Sequence, residues 1–394
     1  MDRWSTTAAA IAIGIAIAIA VAIAIAIAIA IAIAIAVART VARTIARVIA
    51  GARAGAGARA IDIVTVIVII VFPLPLTPGI GCAGPSEAAS RAGNAEITLL
   101  SFGSLEGDVQ VCGCHLGPKG GMARRVAYLD TLSAHGVDFL QLDLGNFASG
   151  KNASAEYETR FVYRMMEKMR VAATAIGPGE LALWPVTAEL LRDGKVPFIC
   201  SNVSVRRAGN ESPVGRSEAV LETRGVRVAL FSLMGRSEMN GLSAQPGVEF
   251  ILSDPFTVAR SMIPQLHREA DVVVLMSQMS TAETDSLIRS VPGIDVALYG
   301  FQAEYKDEAA RLDSTIVNQT GERGQYVGRL NLVVSPQGKV VDYHSENLPL
   351  AKSMPEDSAA TAEVAAALKE VKQLQDSDRA RRDAEFERNL SSGK

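Results

Sequence analysis

The sequence predicts a domain of the α/β class, in which two packed sheets are flanked by helices. Two observations lead to this prediction. From Ala95 onward, apolar runs of strand length alternate with segments that have helical spacing, and such alternation is typical of α/β layers. Near the end of the domain, residues 314–318, 326–334 and 339–344 form three strand-like runs separated by short turns, so we expect a β-meander there.

The predicted elements can be placed in order along the chain. Strands are expected at residues 96–102, 137–143, 171–176, 197–200, 226–233, 272–276 and 294–299. Helices are expected at residues 123–135, 157–169, 186–192 and 255–269. Beyond Pro355 the chain is charged and rich in alanine, which indicates a terminal helix. We therefore place the domain at residues 95–350 and a charged C-terminal helix or tail at 351–394.

The first 60 residues differ in composition from the rest of the 394-residue chain. Ile and Ala alternate through residues 8–38, and a basic stretch from Arg39 to Arg59 follows. About 20 apolar residues suffice to cross a bilayer as a helix, so the tract can be a transmembrane helix. A repeat this regular can equally be a simple-sequence artefact that lies upstream of the true start codon. Both interpretations stay open.

Residues 61–82 have the layout of a lipoprotein signal. A basic stretch, an apolar run and small residues come in sequence, and Gly79-Ile80-Gly81-Cys82 resembles a bacterial lipobox. Lipidation is then expected at Cys82, the alternative being an uncleaved signal anchor. The basic stretch should stay in the cytoplasm, so the residues after the apolar run are expected to be translocated. Residues 83–94 are small and polar, which indicates a flexible linker. The domain would be tethered to the bacterial cell envelope, at the periplasmic face or the outer membrane.

The net charge and the cysteines give no support to a nucleic-acid-binding protein, a disulfide scaffold or a zinc ribbon. The net charge of −3 gives no indication of a nucleic-acid partner. Four cysteines are too few for a disulfide scaffold in a chain of this length. The spacing of Cys112-Gly113-Cys114 is too tight for a zinc ribbon half-site. The membrane is therefore the partner that the sequence indicates, beside an unidentified small ligand or protein.

Eight segments in order resemble the N-terminal domain of the periplasmic 5′-nucleotidases, the UshA-like metallophosphoesterases. They lie at residues 97–107, 120–125, 142–146, 197–203, 225–230, 270–275, 292–298 and 324–330. The resemblance implies a four-layer α-β-β-α sandwich with two metal ions that cleave phosphoesters. Cys112-Gly113-Cys114 ahead of the Gly-Gly-x-Ala-Arg-Arg segment at 120–125 is further similar to a branch that includes selenoproteins.

The resemblance also locates the family's metal-binding loops in this chain. The family's histidines, aspartates and asparagine there are replaced by Ser104, Glu106, Asn146, Pro178, Gly179, Gln278, Phe301 and Ala303. A dinuclear site needs imidazole and carboxylate ligands, so we predict no cofactor and no phosphoesterase activity. Ser104, Asn146 and Gln278 beside Phe301 would instead form a neutral polar cleft for an uncharged small ligand or a peptide.

Two alternatives remain open. Residual hydrolase activity would require that Glu106, Asp143 and Glu180 hold a single Mg²⁺ or Ca²⁺, whereas the simpler interpretation makes them solvated carboxylates. Thiol-redox chemistry would use Cys112 and Cys114. In that case Lys119, Arg124 and Arg125 would lower a thiol pKa. The simpler interpretation is that the two cysteines are structural or paired.

Overall fold

The computed structural model describes residues 93–112, 117–148, 150, 152–240, 242 and 245–391. The predicted tract at 1–60, the signal at 61–82 with Cys82, nearly all of the linker, and Cys114 lie outside these residues. Among the described residues, none of the helices combines the length and the apolar character needed to span a bilayer.

Fifteen strands and eight helices are formed within these residues. The strands are β1 Ala95–Phe102, β2 Phe139–Asp143, β3 Ala173–Ala175, β4 Phe198–Ile199, β5 Val203–Arg207, β6 Asn210–Pro213, β7 Glu218–Thr223, β8 Val226–Met234, β9 Glu249–Leu252, β10 Val272–Gln278, β11 Val296–Tyr299, β12 Ala310–Leu312, β13 Thr315–Gln319, β14 Tyr326–Val334 and β15 Val340–Pro349. The helices are α1 Met122–Ala134, α2 Ala155–Lys168, α3 Pro178–Ala182, α4 Trp184–Asp193, α5 Arg236–Asn240, α6 Pro255–Glu269, α7 Thr281–Ser290 and α8 Ser358–Ser391.

The strands of the described chain form two six-stranded sheets and one small sheet. Sheet 1 has the order β15-β14-β1-β2-β3-β4, and sheet 2 has the order β12-β13-β11-β10-β8-β7. Strands β1 to β4 run parallel, as do β8, β10, β11 and β13. The small sheet has the order β6-β5-β9. Because parallel strands end at the same edge of a sheet, the loops after them meet there.

Three apolar clusters hold the layers together. Side chains such as Leu99 of β1 and Leu230 of β8 pack in a cluster drawn from both large sheets. The opposite faces of the sheets pack on helices, with Phe102 of β1 in the cluster that includes α1 and α2 and Phe231 of β8 in the cluster that includes α6 and α7. The sheets are buried on both faces, which explains the nearly continuous apolar run of β8. The layers are therefore α-β-β-α, the predicted arrangement of the domain.

The predicted β-meander is wrong. Strand β13 pairs in parallel with β11 in sheet 2, whereas β14 pairs antiparallel with β1 in sheet 1. Residues 320–325 thus cross from one sheet to the other, and only β14 and β15 are neighbours. Proximity in sequence favours pairing of consecutive strands, but here both sheets need an additional strand to cover an open edge.

The small sheet was not predicted, because its strands carry little apolar periodicity. All four residues of β6 are exposed, and β5 alternates only at Val203 and Val205. The helix expected beyond Pro355 is α8, of which Ala360 and Ala367 are the buried residues. Gln375 Nε2 of α8 donates to Ser154 Oγ at the start of α2 over 3.1 Å.

Candidate functional site

The loops that follow the parallel strands of both sheets converge on one pocket. Ser104 and Glu106 follow β1, Asn146 follows β2, and Pro178 and Gly179 follow β3. From sheet 2, Gln278 ends β10 and Phe301 follows β11. The pocket has a volume of about 430 Å³. Its lining consists of Glu106, Asn146, Ala148, Gly150, Pro178, Gly179, Ala182, Ser237, Glu238, Leu242 and Phe301.

Five of the eight predicted site residues line this pocket, and three do not. Glu106, Asn146, Pro178, Gly179 and Phe301 are brought together. Ser104 and Gln278 are fully buried and are not part of the lining. Ala303 is buried in the apolar cluster between sheet 2 and its helices.

Asn146 connects three of the loops. Its Nδ2 donates to Glu106 Oε1 over 3.1 Å, and its Oδ1 accepts from the backbone nitrogen of Gly179 over 3.0 Å. Ser104 Oγ donates to the carbonyl oxygen of Gly300 over 2.8 Å. Ser104, Glu106 and Asn146 have positive φ angles of 40°, 51° and 55°. Such angles in non-glycine residues cost about 1 kcal/mol or more each and cluster at functional sites.

Gln278 fills the space where the two sheets end. Its Nε2 donates to the carbonyl oxygen of Leu144, and its Oε1 has no hydrogen-bond partner among the described residues. A β-carbon on Gly177 would lie 2.6 Å from Oε1, and one on Gly300 would lie 2.6 Å from Nε2. Because Gln278 is enclosed in this way, it presents no free polar group to the pocket.

Glu180 is buried, so its interpretation as a solvated carboxylate is wrong. Its Oε2 accepts from the backbone nitrogens of Asn146 and Gly177 over 2.8 and 2.7 Å, and its Oε1 accepts from that of Ala148 over 2.8 Å. Burial raises the pKa of Glu180 to about 7 despite these bonds. The carboxylate therefore holds together the loops after β2 and β3, and both oxygens are occupied.

Asp143 is likewise buried and paired. Arg125 Nη1 lies 3.8 Å from its Oδ2, and the side chain of Thr174 donates to its Oδ1 over 3.1 Å. Burial raises the pKa of Asp143 to about 6 and lowers that of Arg125 to about 10. Of the three acids proposed for a single cation, only Glu106 reaches the pocket. Within the described residues there is no group of three or more His, Cys, Asp or Glu side chains placed to hold a metal ion.

Sequence reasoning missed Ser237, Glu238 and Leu242, which lie in and just after the short helix α5. No motif marks this segment. The available signal was its position directly after the predicted strand at 226–233, since strand ends gather at the site. With Glu106 and Glu238 in its lining, the pocket is acidic, and the expectation of a neutral cleft is wrong.

The cations near Cys112 have other partners. The backbone nitrogen of Lys119 donates to Cys112 Sγ over 3.3 Å, while Lys119 Nζ donates to the hydroxyl of Tyr326 over 3.0 Å. Arg124 pairs with Glu356 over 3.1 Å, and Arg125 pairs with Asp143. Because Cys114 lies outside the described residues, the thiol-redox hypothesis stays a prediction.

Comparison with known proteins places the fold. No family model matches the chain. It is 23% identical over 239 residues to the trifunctional nucleotide phosphoesterase protein YfkN of Bacillus subtilis, covering 56% of this chain and 15% of that protein. It is 22% identical over 275 residues to a snake venom 5′-nucleotidase of Naja atra, covering 62% of this chain and 50% of the relative. The chain thus spans at most about half the length of these relatives.

Solved structures agree. A 5′-nucleotidase precursor of Thermus thermophilus superposes with a TM-score of 0.62 at 23% identity, over 71% of this chain and 59% of that one. The calcineurin-like phosphoesterase YfkN of Bacillus subtilis gives 0.57 at 18% identity, over 72% of this chain and 99% of that one. Likeness to the Cys-Gly-Cys branch stays a prediction. The homologues and structural neighbours of this chain are 5′-nucleotidase-like metallophosphoesterases of the calcineurin-like type.

Proposed function

We propose that this chain is an exported, membrane-anchored protein of the bacterial cell envelope whose metallophosphoesterase-like domain binds a ligand or partner and does not hydrolyse phosphoesters. One observation carries the proposal. At the predicted ligand positions, the pocket is lined by an amide, a carboxylate, a Pro, a Gly and a Phe, and its described lining contains no imidazole. The proposed anchor is a lipid on Cys82, with the signal at 61–82 as the route of export.

Two-metal hydrolysis needs several hard ligands that converge on two cations about 4 Å apart. In the pocket, Glu106 provides the one carboxylate from a predicted ligand position, and Asn146 uses both ends of its amide within the protein. The carboxylates of Asp143 and Glu180 are bound to Arg125 and to backbone N–H groups. This donor set does not fit a pair of divalent cations.

The charge of the pocket supports the same proposal. No Lys or Arg side chain is among the described residues that line it, whereas Glu106 and Glu238 are. A phosphate group that enters without metal ions would therefore meet negative charge, with no Lys or Arg partner among the described residues of the lining. Binding of a nucleotide in the manner of a phosphoesterase substrate is disfavoured on these grounds.

The test measures metal content and turnover on the same sample. The full chain, kept in a non-ionic detergent, is incubated with Mn²⁺, desalted and analysed for bound metal. It is then assayed with AMP and bis-p-nitrophenyl phosphate. The 5′-nucleotidase of Thermus thermophilus, treated in parallel, is the positive control. We expect far less than one equivalent of metal and no turnover above buffer. About two equivalents with turnover would establish the residual-phosphoesterase alternative instead.

A further inference from the structure

We propose that the acidic pocket binds a small organic cation, an amine or a quaternary ammonium, held between the carboxylates of Glu106 and Glu238 and against the ring of Phe301. The inference rests on the proposed function and adds the chemical class of the ligand.

The environment of the Glu238 carboxylate supports a cationic ligand. The residue is only 5% exposed and lines the pocket. Its Oε1 accepts from Ser237 Oγ over 2.6 Å, but its Oε2 is buried with no hydrogen-bond partner among the described residues. A buried carboxylate oxygen without a donor is costly, by about 1–3 kcal/mol or more. The oxygen itself is enclosed beside Gly235, so a cationic group in the pocket would stabilise the charged carboxylate through space.

The carboxylate of Glu283 adds a second negative charge next to Glu238. A β-carbon on Gly235 would collide with both Glu238 Oε2 and Glu283 Oε2, so the two carboxylates lie side by side. Burial, and then the charge of Glu238, raises the pKa of Glu283. The nearby Arg236 is exposed, and its charge and its backbone N–H both act to lower the pKa of Glu283. Burial and the charge of Glu238 outweigh these effects of Arg236, so the pKa of Glu283 is raised on balance.

Glu106, on the loop after β1, is another carboxylate in the lining of the pocket. Glu106 is exposed at the pocket, where Asn146 fixes its Oε1. Burial, and then the charge of Glu106, raises the pKa of Glu322. Glu322 is thus a further acid close enough to Glu106 to interact with it. The adjacent Arg323 forms an ion pair with Asp108. A cation between Glu106 and Glu238 would thus meet carboxylates from both sides.

The rest of the lining suits an organic cation better than a bare metal ion. Ala148, Pro178, Leu242 and Phe301 provide apolar surface, and an aromatic face attracts a cation by about 0.5–2 kcal/mol. The volume of about 430 Å³ is that of a small-molecule site. A hydrated metal ion would leave this apolar wall unused, whereas alkyl groups on nitrogen would cover it.

Charge can be separated from shape with isosteric probes. We would titrate the full chain, in a non-ionic detergent, with choline, 3,3-dimethylbutylamine and 3,3-dimethyl-1-butanol by isothermal titration calorimetry. The alcohol has the shape of choline without its charge. We expect at least one of the two cations to bind roughly tenfold or more tightly than the alcohol, as expected for a charge-assisted contact. Equal affinity for all three, or binding of none, would overturn the proposal.

Variants then locate the site. Glu238→Gln and Glu106→Gln, which remove one charge each and keep the side-chain shape, should each weaken cation binding roughly tenfold. Glu387→Gln, on the exposed distal end of α8, is the matched control and should bind as the unmodified chain does. Glu106 is exposed, so its variant tests the proposal even where Glu238→Gln impairs folding. Unchanged affinity in Glu106→Gln and in a folded Glu238→Gln would place the cation elsewhere and defeat the idea.

The two proposals fail in different ways. Turnover of bis-p-nitrophenyl phosphate with bound metal contradicts the non-catalytic function. Loss of discrimination between choline and its neutral isostere contradicts only the ligand class and leaves the non-catalytic function intact.

Discussion

Gly177 lies so close to Asn146 that a β-carbon on Gly177 would sit 2.7 Å from the backbone nitrogen of Asn146. The loops after β2 and β3 therefore touch backbone to backbone, next to the pocket residues Asn146 and Pro178. Gly177 has a φ of −104°, which any residue can adopt. Packing, and not backbone conformation, requires a glycine at this position.

The first prediction follows from this contact. Gly177→Ala should lower the free energy of unfolding by about 1–3 kcal/mol, because the added methyl meets backbone that cannot move aside independently. Urea denaturation of the full chain, followed by tryptophan fluorescence, measures the change. Gly150→Ala is the control, since no heavy atom lies within 4 Å of its added β-carbon. Equal stability of the two variants would mean that the loops are not in contact.

The second prediction concerns pH. Burial raises the pKa of Glu180 from 4.5 to about 7 and that of Asp143 from 3.8 to about 6. The native state then binds these protons more strongly than the unfolded chain. The contribution of both groups to stability is full below about pH 4 and is lost progressively up to about pH 6 for Asp143 and about pH 7 for Glu180. Each group is expected to lower the free energy of unfolding by roughly 1 kcal/mol per pH unit in that window.

Glu180→Gln isolates the contribution of Glu180 to the pH dependence of the free energy of unfolding. Glutamine does not titrate, so the free energy of unfolding of the variant should change less between pH 4.5 and pH 7 than that of the unmodified chain. Denaturant titrations at several pH values give the slope. Glu308→Gln, a change at an exposed acid, should retain the original slope. A slope that Glu180→Gln leaves unchanged would show that Glu180 titrates as an ordinary carboxyl group.

The third prediction concerns the buried pair of Arg125 and Asp143. Asp143→Asn keeps an acceptor for Thr174 but leaves the Arg125 guanidinium buried without its counter-charge, and Arg125 also stacks on the ring of Phe102 at 3.4 Å. Removal of one member of such a pair costs about 3–5 kcal/mol. We expect a loss of that size in urea denaturation.

The double variant Arg125→Met with Asp143→Leu tests whether the unpaired charge of Arg125 causes the loss of stability. It removes both charges, so it should be more stable than Asp143→Asn alone. The single variants Arg125→Met and Asp143→Leu complete the cycle. A double variant that loses as much stability as the sum of these two would show that packing, and not the unpaired charge, accounts for the effect.

The fourth prediction concerns the anchor. In a bacterial host, Cys82→Ser should abolish incorporation of a labelled fatty acid into the chain, because the serine hydroxyl does not replace the thiol in lipidation. Labelling followed by immunoprecipitation is the measurement, and Cys200→Ser, which changes a buried cysteine of the domain, is the control. Label retained in Cys82→Ser would favour another site of attachment.

The strand-helix alternation and the position of most strands of the two large sheets were predictable because their residues are buried on both faces. Strand β14 spans the predicted residues 326–334, and β8 and β10 begin where predicted. The small sheet was not predictable, since β6 is fully exposed and β5 and β9 are short and carry little apolar periodicity. The separation of β13 from β14 was not predictable either. Each of these strands pairs with a strand that is distant in sequence, β11 and β1 respectively.

The sequence by itself determined the layered α/β domain and the loops in which Ser104, Asn146, Gln278 and Phe301 stand where the resemblance expects ligands. Periodicity and motif order carry that information locally. Only the tertiary structure decided which of these side chains reach the pocket, that Glu180 and Asp143 are buried, and that Glu238 and Glu106 line the same pocket. The charge of the pocket depends on side chains that follow different strands, and these side chains come close together only when the chain folds.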